Sequence, residues 1–188
     1  MKAIKVTDNI YKLTAEADRN ILFEGMWPIE NGLTMNSFIV KGDSVVLIDG
    51  VCDWDGVPET LYRQLDELGV DIKDIKDVVI NHMEPDHSGW LSSFMEMHRD
   101  FTLHVTGAGA GLVKAFYDYD GPINIITEGD RLDLGKGLSL KFIPIPNVHW
   151  PDTMATIEEK TGTAFTCDAF GSFGSRDDLH FDDQLSQK

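Results

Sequence analysis

The stretch Val78-Val79-Ile80-Asn81-His82-Met83-Glu84-Pro85-Asp86-His87-Ser88-Gly89-Trp90 runs from an apolar strand into four potential metal ligands within six residues. In extended backbone alternate residues share a side, so His82, Glu84 and Asp86 are expected to project together beyond the strand end. Pro85 steers Glu84 away from helical angles and suits a helix start, which puts the cluster on a loop just before a helix over Ser88–His98. Two imidazoles and two carboxylates confined together lose hydration, and the carboxylates repel, unless cations compensate them. A bound metal supplies that compensation.

Two later strand ends offer matching ligands. Ile143-Pro144-Ile145-Pro146-Asn147-Val148-His149-Trp150 delivers His149, and Phe165-Thr166-Cys167-Asp168 delivers Asp168. Either residue alone reads as a cap or turn residue. Together with the first cluster they make a two-metal site, in which a carboxylate such as Asp168 bridges ions about 3.5–4 Å apart.

The 188 residues suffice for one compact domain with one core. Sixteen basic side chains against 32 acidic ones give a net charge of −16. That charge repels phosphate backbones and anionic lipid, so neither nucleic acid nor a membrane is expected as a partner. A hydrophobic content of 42% is enough for a packed interior despite the acidity. Cys52 and Cys167 lie far apart without C-x-x-C spacing, so both are expected as reduced thiols and not as disulfide, zinc or iron–sulfur partners. Residues Met1 to Asp8 alternate apolar and polar side chains and lack the apolar run of a signal peptide. No later run has the length of a membrane span, and a cytoplasmic location is expected.

β-Branched and aromatic residues mark strands at Ala3–Leu13, Asn36–Val40, Ser44–Asp49, Asp77–Asn81, Phe101–Thr106, Ile123–Thr127, Leu138–Ile145, Thr153–Ile157 and Thr163–Cys167. Helical spacing of leucines and aromatics marks Pro58–Leu68, Ser88–His98 and the shorter Leu112–Tyr117. Gly107-Ala108-Gly109-Ala110-Gly111 places Leu112 where a dinucleotide fingerprint needs its third glycine, so it reads as a tight strand-to-helix turn. Asp53-Trp54-Asp55-Gly56 lacks the closing glutamate of a calcium loop and reads as a turn. No repeat or linker divides the chain.

The order H-x-E-x-D-H over residues 82–87, then a histidine after one strand and an aspartate after another, resembles the metallo-β-lactamase superfamily. That resemblance implies an α/β (α+β) fold, an αββα sandwich with metals at the strand ends. Glu84 stands where hydrolases of the superfamily place a second histidine. On that residue, with Leu22-Phe23-Glu24-Gly25-Met26-Trp27-Pro28, Met35-Asn36-Ser37 and Gly171-Ser172-Phe173-Gly174, the sequence more narrowly resembles the flavodiiron proteins. The resemblance implies two iron ions: His82, Glu84 and His149 on one, Asp86 and His87 on the other, and Asp168 between them. Hard carboxylate donors mixed with imidazole suit ferric iron and oxygen chemistry better than a histidine-rich zinc shell does.

Flavodiiron proteins add a flavodoxin-like domain whose FMN feeds the irons; this chain is expected to have no FMN site. They also supply a further histidine to the second iron from a later strand, whereas only twenty residues follow Asp168 here. His180 falls in an acidic segment and is expected to be solvated. Residues 1–188 are therefore expected to form a metallo-β-lactamase-like di-iron domain without its last strands and helices. A homodimer is implied by likeness alone. His98 and His104 receive no role.

The expected function is that of a non-haem di-iron protein that binds dioxygen, as an oxygen sensor or oxygen-binding protein acting on a signalling partner. The alternative is reduction of dioxygen or nitric oxide with electrons from a separate flavoprotein or rubredoxin-like donor. A zinc metallohydrolase stands third, because Glu84 argues against it. No catalytic residue is assigned beyond the metal ligands.

Overall fold

The computed structural model describes residues 2–17, 20–23, 25–52 and 58–175. In chain order, β1 (Ile4–Lys5) and β2 (Ile10–Ala17) are followed by the separate hairpin of β3 (Leu22–Phe23) and β4 (Trp27–Pro28). Next come β5 (Leu33–Lys41), β6 (Val45–Ile48), β7 (Ile75–Val79), β8 (Thr102–Thr106) and β9 (Ile123–Ile126). The larger sheet has the order β1-β2-β5-β6-β7-β8-β9, antiparallel as far as β6 and parallel beyond it.

The parallel steps are bridged by α1 (Glu59–Glu67), by α2 (Pro85–Ser88) with α3 (Leu91–Met97), and by α4 (Gly107–Tyr117). Parallel crossovers are right-handed, so strands added successively in one direction carry all their helices on one face. Leu61 and Leu65 of α1, Phe94 of α3 and Val113 of α4 accordingly share a buried cluster with Leu47, Val78 and Leu103 of the sheet. Strand alternation sends Val46, Ile48 and Val79 to the opposite face. There they meet Leu140, Phe142, Met154 and Phe165 of a second, antiparallel sheet formed by β10 (Arg131–Gly135), β11 (Leu138–Pro144), β12 (Met154–Glu158) and β13 (Thr163–Phe165).

Among the described residues the layers run helix, sheet, sheet, three of the four layers of the expected αββα sandwich, with α1, α3 and α4 packed on the larger sheet. Because β11 and β13 both run antiparallel to β12, they leave the smaller sheet at the same end. Among the described residues no helix is long and apolar enough to cross a membrane.

Several local expectations need correction. The strand over Ala3–Leu13 is broken, because the Val6 and Thr7 N–H groups both donate to the Ile10 carbonyl, at 2.8 and 3.2 Å, and fold the chain into the β1–β2 hairpin. Residues 107–111 are the opening turns of α4 and not a turn before it. Thr106 Oγ1 caps that helix by accepting from the Gly109 N–H at 3.2 Å. A Cβ on Gly109 would lie 3.2 Å from Val105 Cβ, so the missing side chain lets the helix sit close against its strand.

The helix expected from Ser88 starts at Pro85, inside the ligand cluster, and is resolved into α2 and α3. β3, β4 and β10 fall outside the expected strands; in β10 the charged Arg131 and Asp133 dilute the apolar alternation. The turn at Asp53–Gly56, Glu24 and His180 lie outside the described residues. His98 and His104 are buried groups with partners of their own, the Ile75 carbonyl at 2.8 Å and Asp77 Oδ1 at 2.7 Å.

Candidate metal centre

The ends of β6 and β7 form the inner wall of the site. Asp49 follows β6 and Asn81 follows β7, and their side chains are locked together. Asp49 accepts from the Asn81 backbone N–H at 2.7 Å and from Asn81 Nδ2 at 3.0 Å. Asn81 Oδ1 accepts from Thr156 Oγ1 at 2.7 Å, and its carbonyl accepts from the Met154 N–H at 2.9 Å, so one side chain ties both sheets at the end where the ligands emerge. Trp90 closes this wall from the helical side. Its Nε1–H donates to the His87 carbonyl at 2.7 Å, and its indole lies so close over Gly50 that a Cβ there would sit 2.0 Å from the ring.

From the other sheet, the 145–153 loop brings His149 and the turn after β13 brings Asp168. His82, Glu84, His149 and Asp168 each place one donor atom within 4.8 Å of the others. Glu84 Oε2 is 2.9 Å from both His82 Nε2 and His149 Nε2. Asp168 Oδ2 is 3.5 Å from His82 Nε2 and 3.4 Å from His149 Nε2, while its other oxygen accepts from or pairs with His87 Nε2 at 2.8 Å. One carboxylate thus faces two neighbouring groups of donors.

Asp86 and His87 fall outside the four-donor group. α2 begins at Pro85, so Asp86 leaves the extended alternation that would have aligned it with His82 and Glu84. Asp86 Oδ2 instead lies 3.6 Å from His87 Nε2. His87 belongs to a second group, with Asp49 and Cys167, whose donor atoms also lie within 4.8 Å of one another. Cys167 Sγ is 3.5 Å from His87 Nδ1.

The electrostatics follow from burial and pairing. For His82, burial opposes the charged form, but the carboxylates of Asp152 and Glu84 outweigh it and raise the pKa. For His87, burial again opposes protonation, and Asp168 and Cys167 overcome it to lift the pKa well above the ordinary value. Burial pushes Asp168 up, yet the His87 hydrogen bond and the surrounding imidazoles bring it below the usual carboxylate range. Asp49 and Asp86 are both raised, burial being the leading cause. Burial, reinforced by the Asp49 charge, pushes the Cys167 thiol up to about 12.

These residues fit a metal on two counts. The four-donor group is mixed imidazole and carboxylate, which suits iron with positions left open. Three buried polar atoms beside it, His82 Nδ1, Asp86 Oδ1 and Asp152 Oδ1, have no hydrogen-bond partner, an arrangement that costs free energy unless the group is organised around a charge. Asp152 sits 3.7 Å from the outer nitrogen of His82, and its other oxygen accepts from the Met83 N–H at 2.7 Å. A carboxylate so placed is where a partner for the outer nitrogen of a metal-ligating histidine would stand.

Asp49, Asp152 and Cys167 are the polar residues that the motif reading passed over. Asp49 carries the same signal as His82, a polar residue at the end of an apolar strand run. Cys167 adjoins Asp168, but its approach to His87 spans 80 residues of chain and leaves no local trace. The adjoining cavity, of about 500 Å³, is lined on one side by Glu84, Asp86 and Asp168 and on the other by apolar groups including Phe38, Phe165 and Phe173.

The two-sheet sandwich with imidazoles and carboxylates converging at its strand ends defines a metallo-β-lactamase-like fold with a candidate metal site. Comparison with known proteins narrows this: the chain belongs to the ODP family beta lactamase, whose model matches residues 33–187. It is 34% identical over 174 residues to a flavo-diiron protein of Clostridium acetobutylicum, covering 91% of this chain and 42% of that one. Among solved structures it is similar to a flavoprotein of Thermotoga maritima, at a TM-score of 0.85 and 30% identity, over 96% of this chain and 44% of that chain. It is also similar to rubredoxin oxygen:oxidoreductase of Desulfovibrio gigas, at a TM-score of 0.87 and 26% identity, over 98% of this chain and 45% of that chain. The chain therefore spans less than half the length of each of these relatives.

Proposed function

We propose that this chain is a non-haem di-iron domain that binds dioxygen, as an oxygen sensor or oxygen-binding protein. The observation that carries this reading is the mixed donor group of His82, Glu84, His149 and Asp168, with the second oxygen of Asp168 turned toward His87. His82, Glu84 and His149 would hold one iron, Asp86 and His87 the other, and Asp168 both. When bound, the irons supply redox-active positions open to a small diatomic molecule.

The chain's own residues account for the rest. Glu84, at the start of α2, presents one oxygen to two imidazoles and sets their separation. Asp152 places a negative charge 3.7 Å behind the buried His82. The phenylalanines give the cavity an apolar wall opposite its carboxylates, a lining that favours an uncharged ligand over a hydrated anion.

The likeness to rubredoxin oxygen:oxidoreductase favours a second reading, reduction of dioxygen or nitric oxide with electrons from a separate flavoprotein or rubredoxin-like donor. Metal analysis of anaerobically purified protein, followed by absorption spectra before and after oxygen without reductant, tests both. Two irons per chain and a lasting charge-transfer band are expected. Rapid oxygen consumption with a generic reductant would favour the second reading. Zinc, with no response to oxygen, would overturn both and point to a hydrolase.

A further inference from the structure

We propose that Ser88 and Tyr117 are positioning residues of the metal site: their hydroxyls form a chain that ties the peptide between His82 and Glu84 to the turn bearing Asp86 and His87, and so sets how the two donor groups face each other. Ser88 Oγ lies 2.9 Å from the Met83 carbonyl, 3.1 Å from the Glu84 carbonyl and 2.7 Å from the Tyr117 hydroxyl. Met83 and Ser88 are fully buried. Tyr117 is the last residue of α4 and reaches Ser88 across 29 residues of chain.

The local backbone needs such a tie. Met83 stands between two of the candidate ligands, and side chains take both of its polar backbone groups. Its N–H donates to Asp152 Oδ2 at 2.7 Å, and its carbonyl accepts from Ser88. Buried backbone groups require partners, and in this segment the partners are not another strand or helix. α2 is a single turn of four residues, too short to hold its shape unaided, because the first turn of a helix fixes several dihedral angles for one hydrogen bond. Its N-cap residue, Glu84, makes no side-chain cap, since that carboxylate faces His82 and His149 instead. Ser88 closes the turn from its other end.

The direction of the chain follows from counting protons. Ser88 carries one hydroxyl proton, and the two carbonyls beside it can only accept. Ser88 therefore donates to the Met83 and Glu84 carbonyls and accepts from Tyr117. Burial pushes the Tyr117 hydroxyl above its ordinary pKa, which keeps the donated proton in place. Without Tyr117, Ser88 loses the partner that fixes its rotamer, and α2 gains freedom against the Met83 peptide.

The inference rests on the two-ion reading above, and cobalt(II) alone tests it, without iron or oxygen. Metal-free protein is titrated to two equivalents while the visible ligand-field bands are followed in the wild type, Tyr117→Phe, Ser88→Ala and the double variant. Tyr62→Phe is the control, because it removes a comparable hydroxyl, 3.4 Å from Ser93 Oγ, in the same helical layer but outside the cavity beside the donors. In Tyr117→Phe and Ser88→Ala, affinity for the second ion is expected to fall about tenfold with a changed second-equivalent band, while affinity for the first moves less than about threefold. The double variant should be no weaker than Ser88→Ala alone, because the two hydroxyls act in series. Tyr62→Phe should bind both ions as the wild type does.

A second ion bound by Tyr117→Phe with wild-type affinity and band would overturn the inference and leave the two-ion reading standing. An equal effect of Tyr62→Phe would do the same, by marking such hydroxyls as supports of the fold alone. Losses that add in the double variant would resolve the chain into two separate contacts and overturn it too. A wild type that binds fewer than two ions would overturn both the inference and the reading. Should Ser88→Ala not fold, Tyr117→Phe against Tyr62→Phe decides the question.

Discussion

His82 and His149 reach the same oxygen of Glu84 at the same 2.9 Å, yet the His82 side chain is fully buried and that of His149 is 57% exposed. The first stands on the inner wall, where Asn81, Asp49 and Trp90 knit strand ends to the core. The second hangs from a loop that closes on itself, with the Ile145 N–H on the Thr153 carbonyl at 2.9 Å and Thr153 Oγ1–H on the Trp150 carbonyl at 3.0 Å. The difference teaches that one site is served by two kinds of support. Inner-wall residues serve both the fold and the proposed metal site, whereas outer-wall residues serve the site alone.

The comparison breaks first, if it is wrong, at Asn81. Asn81→Ala keeps the backbone N–H on Asp49 but removes the Nδ2 donor to its other oxygen and the acceptor for Thr156, and is expected to cost about 2–4 kcal/mol in urea unfolding. A loss comparable to that of a surface substitution would show that the inner wall is not structural. Gly50→Ala drives a methyl into the Trp90 indole and should cost about 1–3 kcal/mol by the same measurement. It should also displace His87, whose carbonyl Trp90 holds.

Asp152→Asn sharpens the contrast. Amide and carboxylate have the same shape, so the acceptor for Met83 survives, and the stability change should stay near about 1 kcal/mol. Affinity for the first metal should fall about 10–100-fold in a cobalt titration, because His82 loses its negative neighbour. His149→Ala is the smallest perturbation of the fold, within about 0.5 kcal/mol. Its metal affinity should nevertheless fall at least as far as that of Asp152→Asn. Destabilisation by His149→Ala rivalling that of Asn81→Ala would erase the distinction between the walls.

The sequence-readable part of the molecule is the part governed by short-range pattern. Val78 to Ile80 announce a strand by their apolar run, and His82 and Glu84 announce a site by falling on alternate residues after it. Asp86 follows the same spacing rule in the sequence, but the chain turns helical at Pro85 and the rule no longer applies. Gly107 to Gly111 mislead in the opposite sense: glycine is a weak helix former, and here Thr106 capping and close strand packing override that preference. The pairing of Cys167 with His87 and Asp49, and of Asp152 with His82, is written in sheet topology and backbone angles, which no window of neighbouring residues contains.

The donors of the four-membered group emerge from both sheets: His82 and Glu84 follow β7 of the larger, while His149 and Asp168 follow β11 and β13 of the smaller. An ion gripped by all four is therefore a further cross-link between two layers that apolar contact, the Asn81 clamp and the hydrogen bonds of Met83 and Thr106 to Asp152 already join. Chain unfolding must release it, which makes thermal stability a function of free metal. At a hundredfold excess over the dissociation constant the gain is about 2.7 kcal/mol, or about 5–10 °C in Tm for a chain of this size. Metal starvation would then act on the persistence of the folded chain as well as on its chemistry, and the melting temperature becomes a gauge of how far the centre is filled.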